Sequence, residues 1–145
     1  MNEIPVLYSF RRCPYAMRAR IAILLSHFSC ELREVVLSKK PVEMIRLSSK
    51  ATVPVLLLPS GTVIDESLDV MKHVLARNDR LGIFQGYKEN QHDMDSIVCL
   101  FDDKFKYHLD RYKYASRYRD VNSFDHREMA LHYIKHLISF FSNNS

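Results

Sequence analysis

The chain has 145 residues, 47% of them apolar and 26% charged, with a formal net charge of +4. That length supports one domain, or one domain and part of another, and that composition excludes disordered, collagen-like and coiled-coil chains. The whole charge excess lies in residues 1–78, with 11 Lys and Arg against 7 Asp and Glu, whereas residues 79–145 balance at 10 against 10. An excess of that size suits a small anionic ligand as well as it suits a polymer.

No stretch approaches the ~20 consecutive apolar residues that a bilayer span needs, so no membrane association is expected. The start, MNEIPVLYSF, lacks the basic and then apolar pattern of a secretion signal. The only glycines are Gly61, Gly82 and Gly86. Their spacing excludes dinucleotide and phosphate loops, whose tight turns need clustered glycines. Cys13, Cys30 and Cys99 are odd in number and widely spaced, which makes neither a disulfide framework nor a zinc ribbon. The expectation is a reducing, cytoplasmic setting.

In chain order, residues 4–9 form a short β-prone run. Pro14 then stands where a helix opens, since its missing N–H would be unpaired there in any case. Residues 16–27 carry apolar side chains at helical spacing. Residues 31–37 alternate polar and apolar and read as a second strand. Pro41 opens a short helix over 42–47. Residues 53–58 are β-branched and leucine-rich, a buried strand. Pro59-Ser60-Gly61-Thr62 is turn chemistry, and Val63-Ile64 returns as a short antiparallel partner. Residues 65–77 place Leu68, Met71 and Leu75 on one helix face. This β-α-β-α-β-β-α order is one small α/β unit with a mixed sheet. Residues 78–91 read as a loop. Residues 93–141 read as two helices, with Ile97, Leu100, Phe101, Phe105 and Leu109 on the first. The second carries Met129, Tyr133, Ile134, Leu137, Ile138 and Phe141, and the break falls within 115–123.

Cys13 is the sharpest chemical candidate. It directly precedes a helix start in Arg11-Arg12-Cys13-Pro14-Tyr15-Ala16. Helix N-terminal N–H groups and the helix dipole stabilise a thiolate there, and the two arginines add favourable charge. A partly exposed thiolate is a nucleophile. The plain alternative is a small cysteine that happens to fall in a loop. Cys30 and Cys99 sit in apolar-patterned segments and read as packing cysteines. His132 and His136 share a helix face but lack a third ligand, so no metal is expected. Residues 105–114 interleave cations and aromatics, a pattern that can stack bases and bind phosphates. It equally describes an amphipathic helix end with snorkelling lysines. The electrical neutrality of the second half weighs against nucleic acid.

Residues 8–78 resemble the N-terminal, thioredoxin-like domain of cytosolic glutathione S-transferases, closest to the cysteine-type members, omega-like and glutaredoxin-2-like. A strand leads into Cys13-Pro14-Tyr15-Ala16, and Lys40-Pro41 opens the second helix. Thr52-Val53-Pro54-Val55-Leu56 resembles the family's Val-Pro-Val-Leu, whose proline is cis. Asp65-Glu66-Ser67 resembles the Glu-Ser pair that opens the third helix. The resemblance implies a thioredoxin-like glutathione-binding domain over 1–78 and a shortened, incomplete helical domain of about two helices over 79–145. Residues 105–114 are themselves similar to a segment of the helical domain in bacterial members.

The same resemblance implies roles. Cys13 is the nucleophile that forms a mixed disulfide with glutathione, the cosubstrate. The backbone of Val53, turned by Pro54, pairs with the tripeptide's cysteinyl unit as an added strand. Ser67 takes the γ-glutamyl carboxylate at a helix start. Glu66 meets the γ-glutamyl ammonium, and Lys40 the glycyl carboxylate. Ala16 stands where dithiol glutaredoxins have a second cysteine, so exchange follows a monothiol route. The implied function is a glutathione-dependent thiol transferase acting on a mixed disulfide or small electrophile. The other class is a non-catalytic partner-binding module, as in proteins resembling stringent starvation protein A. Homodimers are common in the family, and the large apolar stripes of the last two helices also favour a homodimer.

Overall fold

The computed structural model of the chain describes residues 4–143. The first three residues, part of the stretch read for a secretion signal, lie outside them. Two compact units divide at Gly86 and Tyr87, eight residues beyond the boundary expected at 78.

The first unit holds β1 (Val6–Ser9), α1 (Pro14–Leu25), β2 (Glu31–Glu34), α2 (Val42–Leu47), β3 (Val55–Leu57), β4 (Val63–Ile64) and α3 (Ser67–Leu75). Its four-stranded sheet has the order β2-β1-β3-β4, with β1 parallel to β2, antiparallel to β3, and β3 antiparallel to β4. This is the thioredoxin-like β-α-β-α-β-β-α arrangement expected. β1 starts at Val6, two residues later than the sequence pattern predicts, and three further elements are shorter than expected, each for a local reason. β2 stops at Glu34: the Val35 N–H closes the last rung on the Ser9 carbonyl at 2.7 Å, and a turn from Val36 follows. β3 starts only at Val55, since Pro54 has no N–H to give a ladder. α3 starts at Ser67 because Glu66 is still extended, at φ −109° and ψ 132°.

β1 is buried along its whole length. Successive side chains point to opposite faces of a strand, so it feeds two cores at once. Val6 and Tyr8 pack with Ala16, Val35, Met44, Val53 and Val55. Leu7 packs with Ala19, Ala22, Leu56, Val70, Val74 and Leu75. The buried face of α1 is Ala16, Ala19 and Ala22. Such small side chains at helical spacing let α1 lie close to the sheet and to α3. Gly61, at φ +87°, makes the β3–β4 turn in a conformation that L side chains rarely adopt.

The region expected as a loop contains a helix, α4 (Ile83–Glu89). The Asp79 carboxylate accepts from the N–H groups of Phe84 at 3.0 Å and Gln85 at 2.8 Å, and Gly82 turns the chain at φ +67°. An acidic acceptor just ahead of a helix satisfies its orphan donors. Gly82 punctuates the helix start and Gly86 lies inside α4, so neither marks an open loop.

The second unit continues with α5 (Gln91–Leu100), a π-helical turn (Phe101–Phe105) and α6 (Lys106–Lys113) as one helical run. A short 3-10 turn follows, and then α7 (Ser123–Asn143). The two long helical stretches expected are present, with a π turn inside the first. α6 and α7 pack together. At their contact His108 Nδ1 and His126 Nδ1 lie 2.7 Å apart, with the Tyr133 ring 6.0 Å from His108. Among the described residues no helix is long and apolar enough to cross a membrane.

The histidine contact fixes a pH dependence. A hydrogen bond between two imidazole nitrogens needs one donor and one acceptor, so at least one ring is neutral. Burial, with the nearby charges of His126, Arg111 and Lys104, lowers the pKa of His108 from its ordinary 6.5. A depressed histidine pKa means the unfolded chain binds the proton first. The contribution is therefore complete above pH ~6.5 and is lost as pH falls through the folded value. The urea midpoint should drop between pH 7 and pH 5. His108→Phe should flatten that slope, and an equal slope in both proteins would refute the assignment.

Candidate functional site

Cys13 is the residue that caps α1: its backbone is extended at φ −79° and ψ 120°, and Pro14 begins the helix. The loop that presents it is tied at several points. The Cys13 N–H donates to the Phe10 carbonyl at 3.0 Å. The Arg11 N–H donates to the Glu34 carboxylate at 2.8 Å. Arg20 supplies the strongest tie. Its guanidinium donates to the Ser9 hydroxyl at 2.6 Å, the Phe10 carbonyl at 3.2 Å and the Arg11 carbonyl at 3.0 Å. Ser9 is fully buried, so its hydroxyl needs this partner.

Arg20 was not among the residues singled out from the sequence. The signal was there: seven residues after Cys13 is two helical turns, the same face of α1. The planar fork of a guanidinium can serve several carbonyls of one loop together. Arg11 and Arg12, expected to flank the thiol with charge, are exposed.

The half-buried Cys13 thiol donates to the Val53 carbonyl at 3.6 Å. The Val53–Pro54 bond is cis, and both residues are buried. Cys13, Val53 and Pro54, 40 positions apart in sequence, are thus brought into one site. Ser67, the first residue of α3, is buried, and its hydroxyl accepts from Arg18 Nε at 2.9 Å. Arg18 also lies over the Tyr15 ring, 5.1 Å from its centroid. α1 therefore contributes Cys13 from its cap and Arg18 from its second turn, and Arg18 was likewise missed.

Glu66 pairs with Lys50, whose ammonium also lies 3.7 Å from Asp65. Asp65 is fixed from the other side by the buried Ser48 hydroxyl at 2.7 Å. The Glu66 hydrogen bond, foremost, and the charges of both carboxylates raise the pKa of Lys50. Lys40 lies just before α2, half-buried. Among the described residues it makes no hydrogen bond or ion pair to the other five predicted residues.

The arrangement offers a thiol at a helix N-terminus, a backbone carbonyl beside it, and a helix start with a hydroxyl flanked by charges of both signs. The sequence model of the domain described as "Glutathione S-transferase, N-terminal domain" matches residues 7–81, just over half of the chain. The chain belongs to the glutathione S-transferase family.

Solved glutathione transferases share its fold. Glutathione transferase Omega 1C from Trametes versicolor superposes with a TM-score of 0.65 at 21% identity, over 77% of this chain and 52% of that one. Glutathione transferase Omega 2C from the same organism gives 0.73 at 17% identity, over 94% and 60%. Glutathione S-transferase unclassified 2 from Bombyx mori gives 0.77 at 12% identity, over 97% and 68%. The chain thus spans about half to two thirds of the length of these transferases. A glutathione transferase homologue from Sulfitobacter, at 15% identity and a TM-score of 0.64, was solved with bound glutathione. A search of curated protein sequences returns no match.

Two broad hollows lie elsewhere and include none of the predicted site residues. One, of about 840 Å3, runs along α5 past Cys99, and the other, of about 610 Å3, lies beside Cys30. Among the described residues no group of three or more His, Cys, Asp and Glu could hold a metal ion.

The three thiols of this transferase-family chain differ in surroundings. Desolvation raises the pKa of the half-buried Cys30. The Asp103 carboxylate, which accepts from the Cys99 thiol at 3.5 Å, raises that of the exposed Cys99. Both shifts favour the thiol over the thiolate, which is the nucleophile. Limited alkylation by iodoacetamide at pH 7.5 should therefore label Cys13 first. Peptide mapping that finds Cys99 labelled ahead of Cys13 would overturn this order.

Proposed function

We propose that the chain is a cysteine-type, omega-like glutathione transferase domain that acts as a monothiol thiol transferase through Cys13. The observation that supports this best is the Cys13 thiol at the α1 N-terminus, 3.6 Å from the Val53 carbonyl and beside the cis Pro54. The Cys13 thiolate attacks the glutathionyl sulfur of a mixed disulfide. The S–S bond breaks, the substrate thiolate leaves and takes up a proton, and Cys13 carries glutathione. A second glutathione thiolate attacks that sulfur, which releases glutathione disulfide and restores the Cys13 thiolate. Ala16 is fully buried at the position a second thiol would occupy. The Val53 backbone pairs with the cysteinyl unit, Ser67 and the start of α3 receive the γ-glutamyl carboxylate, and Glu66 receives the ammonium. Lys40 serves the glycyl carboxylate.

The thioredoxin-like glutathione-binding part is residues 1–78, and residues 79–145 are the helical part. The setting that suits this chemistry is the reducing cytoplasm. The second reading, a non-catalytic partner-binding module, predicts no turnover of a glutathione mixed disulfide by the intact chain.

Cys13→Ser should abolish reduction of a glutathione mixed disulfide and leave the circular dichroism spectrum unchanged. Ser67→Ala and Glu66→Ala should each weaken glutathione binding by about 1–3 kcal/mol, the cost of leaving a charged group short of a hydrogen bond. Undiminished turnover in Cys13→Ser would remove the nucleophile from the scheme. Glutathione affinity that survives Ser67→Ala and Glu66→Ala together would remove the subsite.

The chain is proposed to work as a homodimer. Ile134, Ile138 and Phe141 follow one face of α7 and are exposed at 38%, 61% and 51%. Contiguous apolar surface of this kind marks association sites. Sedimentation at micromolar concentration should give twice the 17.1 kDa chain mass. Ile138→Lys should shift it to the monomer, and a monomeric native chain would contradict the dimer.

A further inference from the structure

The acidic corner at the start of α3 already holds a cation. Lys50 places its ammonium on the Glu66 carboxylate and 3.7 Å from Asp65. A lysine ammonium and the α-ammonium of a γ-glutamyl group are the same chemical unit, a compact positive charge with three donors. One carboxylate pocket fits either. We propose that Lys50 occupies the ammonium position of a γ-glutamyl thiol in the ligand-free protein, so that the ligand's own ammonium displaces it from Glu66. The proposal rests on the glutathione reading of this site.

The surroundings allow the exchange. The side chains of Lys50 and Glu66 are 50% and 57% exposed, so neither is locked in place by packing. The lysine is carried on the turn between Ser48 and Val53, where Ala51 lies in the left-handed region at φ +50°. Asp65 is pinned by Ser48 at 2.7 Å and stays where it is. When Lys50 leaves Glu66, Asp65 remains within reach as its partner. The displaced charge is therefore not left alone, and the cost of displacement is that of one exposed ion pair.

The sign of the effect separates this role from a simpler one. Glutathione carries two carboxylates and one ammonium at neutral pH, a net negative charge. A lysine acting only as a nearby cation would attract it, and removing that lysine would weaken binding. A lysine that competes for Glu66 does the opposite.

The test is equilibrium binding of S-methylglutathione, which has no reactive thiol, to the native chain and to Lys50→Met. The same measurement uses N-acetyl-S-methylglutathione, which lacks the ammonium. The expected result is binding of S-methylglutathione about two- to fivefold tighter in Lys50→Met, the range an exposed ion pair supports. The N-acetyl compound gains nothing from the substitution. If S-methylglutathione binds the native chain and Lys50→Met binds it equally or more weakly, the proposal falls and the glutathione reading stands. A matching gain for the N-acetyl compound also overturns it, because the gain would not depend on the ammonium. If neither protein binds S-methylglutathione, the glutathione reading itself falls and takes the proposal with it.

Discussion

The buried end of β1 sets a demand that the rest of the first unit answers. β1 runs through the middle of the sheet with side chains packed on both faces, and it ends in Ser9, whose hydroxyl is fully enclosed. An enclosed polar group without a partner costs free energy comparable to a lost hydrogen bond. Arg20 meets that demand, and with the same guanidinium it ties the Phe10 and Arg11 carbonyls. The loop between β1 and α1 is thereby drawn down onto α1. Cys13 is held at the helix cap as a consequence of how a core strand terminates. The placement of Cys13 and the satisfaction of the strand's buried end share one side chain.

Opposite charges organise the other half of the site. Arg18 and Ser67 make its cationic side, from α1 and the start of α3. Asp65 and Glu66, the two residues before Ser67, make its anionic side, with Lys50 seated on them. The two sides can lie so close because the chain passes from extended to helical between Glu66 and Ser67. A side chain ahead of the helix and one inside its first turn then point in different directions. On the proposed glutathione reading, the zwitterionic γ-glutamyl end complements such a junction.

How much of this was legible follows from range. The β-α-β-α-β-β-α order could be read because each element is written in local terms: Pro14 at a helix start, β-branched runs, Pro-Ser-Gly-Thr at the hairpin. Cys13, Val53 and Pro54 could be named because their motifs are short and specific. The hydrogen bond from Cys13 to Val53 crosses 40 residues and has no local signature. Arg18 and Arg20 were harder to read, for another reason. Both belong to a helix whose exposed and buried positions looked ordinary; spacing puts Arg20 on the Cys13 face, but the partners are backbone carbonyls and two serines, Ser9 and Ser67, which carry no sequence pattern. Lys50 sits in an unremarkable polar turn, and only the fold sets it against Glu66. The helix over residues 83–89 was missed because Gly82 and Gly86 read as loop. Asp79 provides the cap from four residues upstream of Ile83, farther than the usual capping spacing.

The interleaved cations and aromatics of residues 105–114, with the turn that follows, are resolved by the same accounting. Arg111 lies 3.5 Å from the centroid of the Tyr107 ring and 4.4 Å from that of Tyr118. Arg117 and Lys113 lie over the Tyr114 ring at 4.3 and 5.4 Å. Lys106 pairs with Asp110 one turn along α6. Base stacking on this segment would need open ring faces, and its phosphate contacts would need uncommitted cations. Here the chain's own guanidinium and ammonium groups lie over Tyr107, Tyr114 and Tyr118. A cation held over an aromatic ring is stabilised by the ring's negative face, by ~0.5–1 kcal/mol at exposed sites. Several such pairs stabilise the end of α6 and the turn after it without a bound polymer. The alternation of charge and ring along these residues is accounted for by packing within the unit.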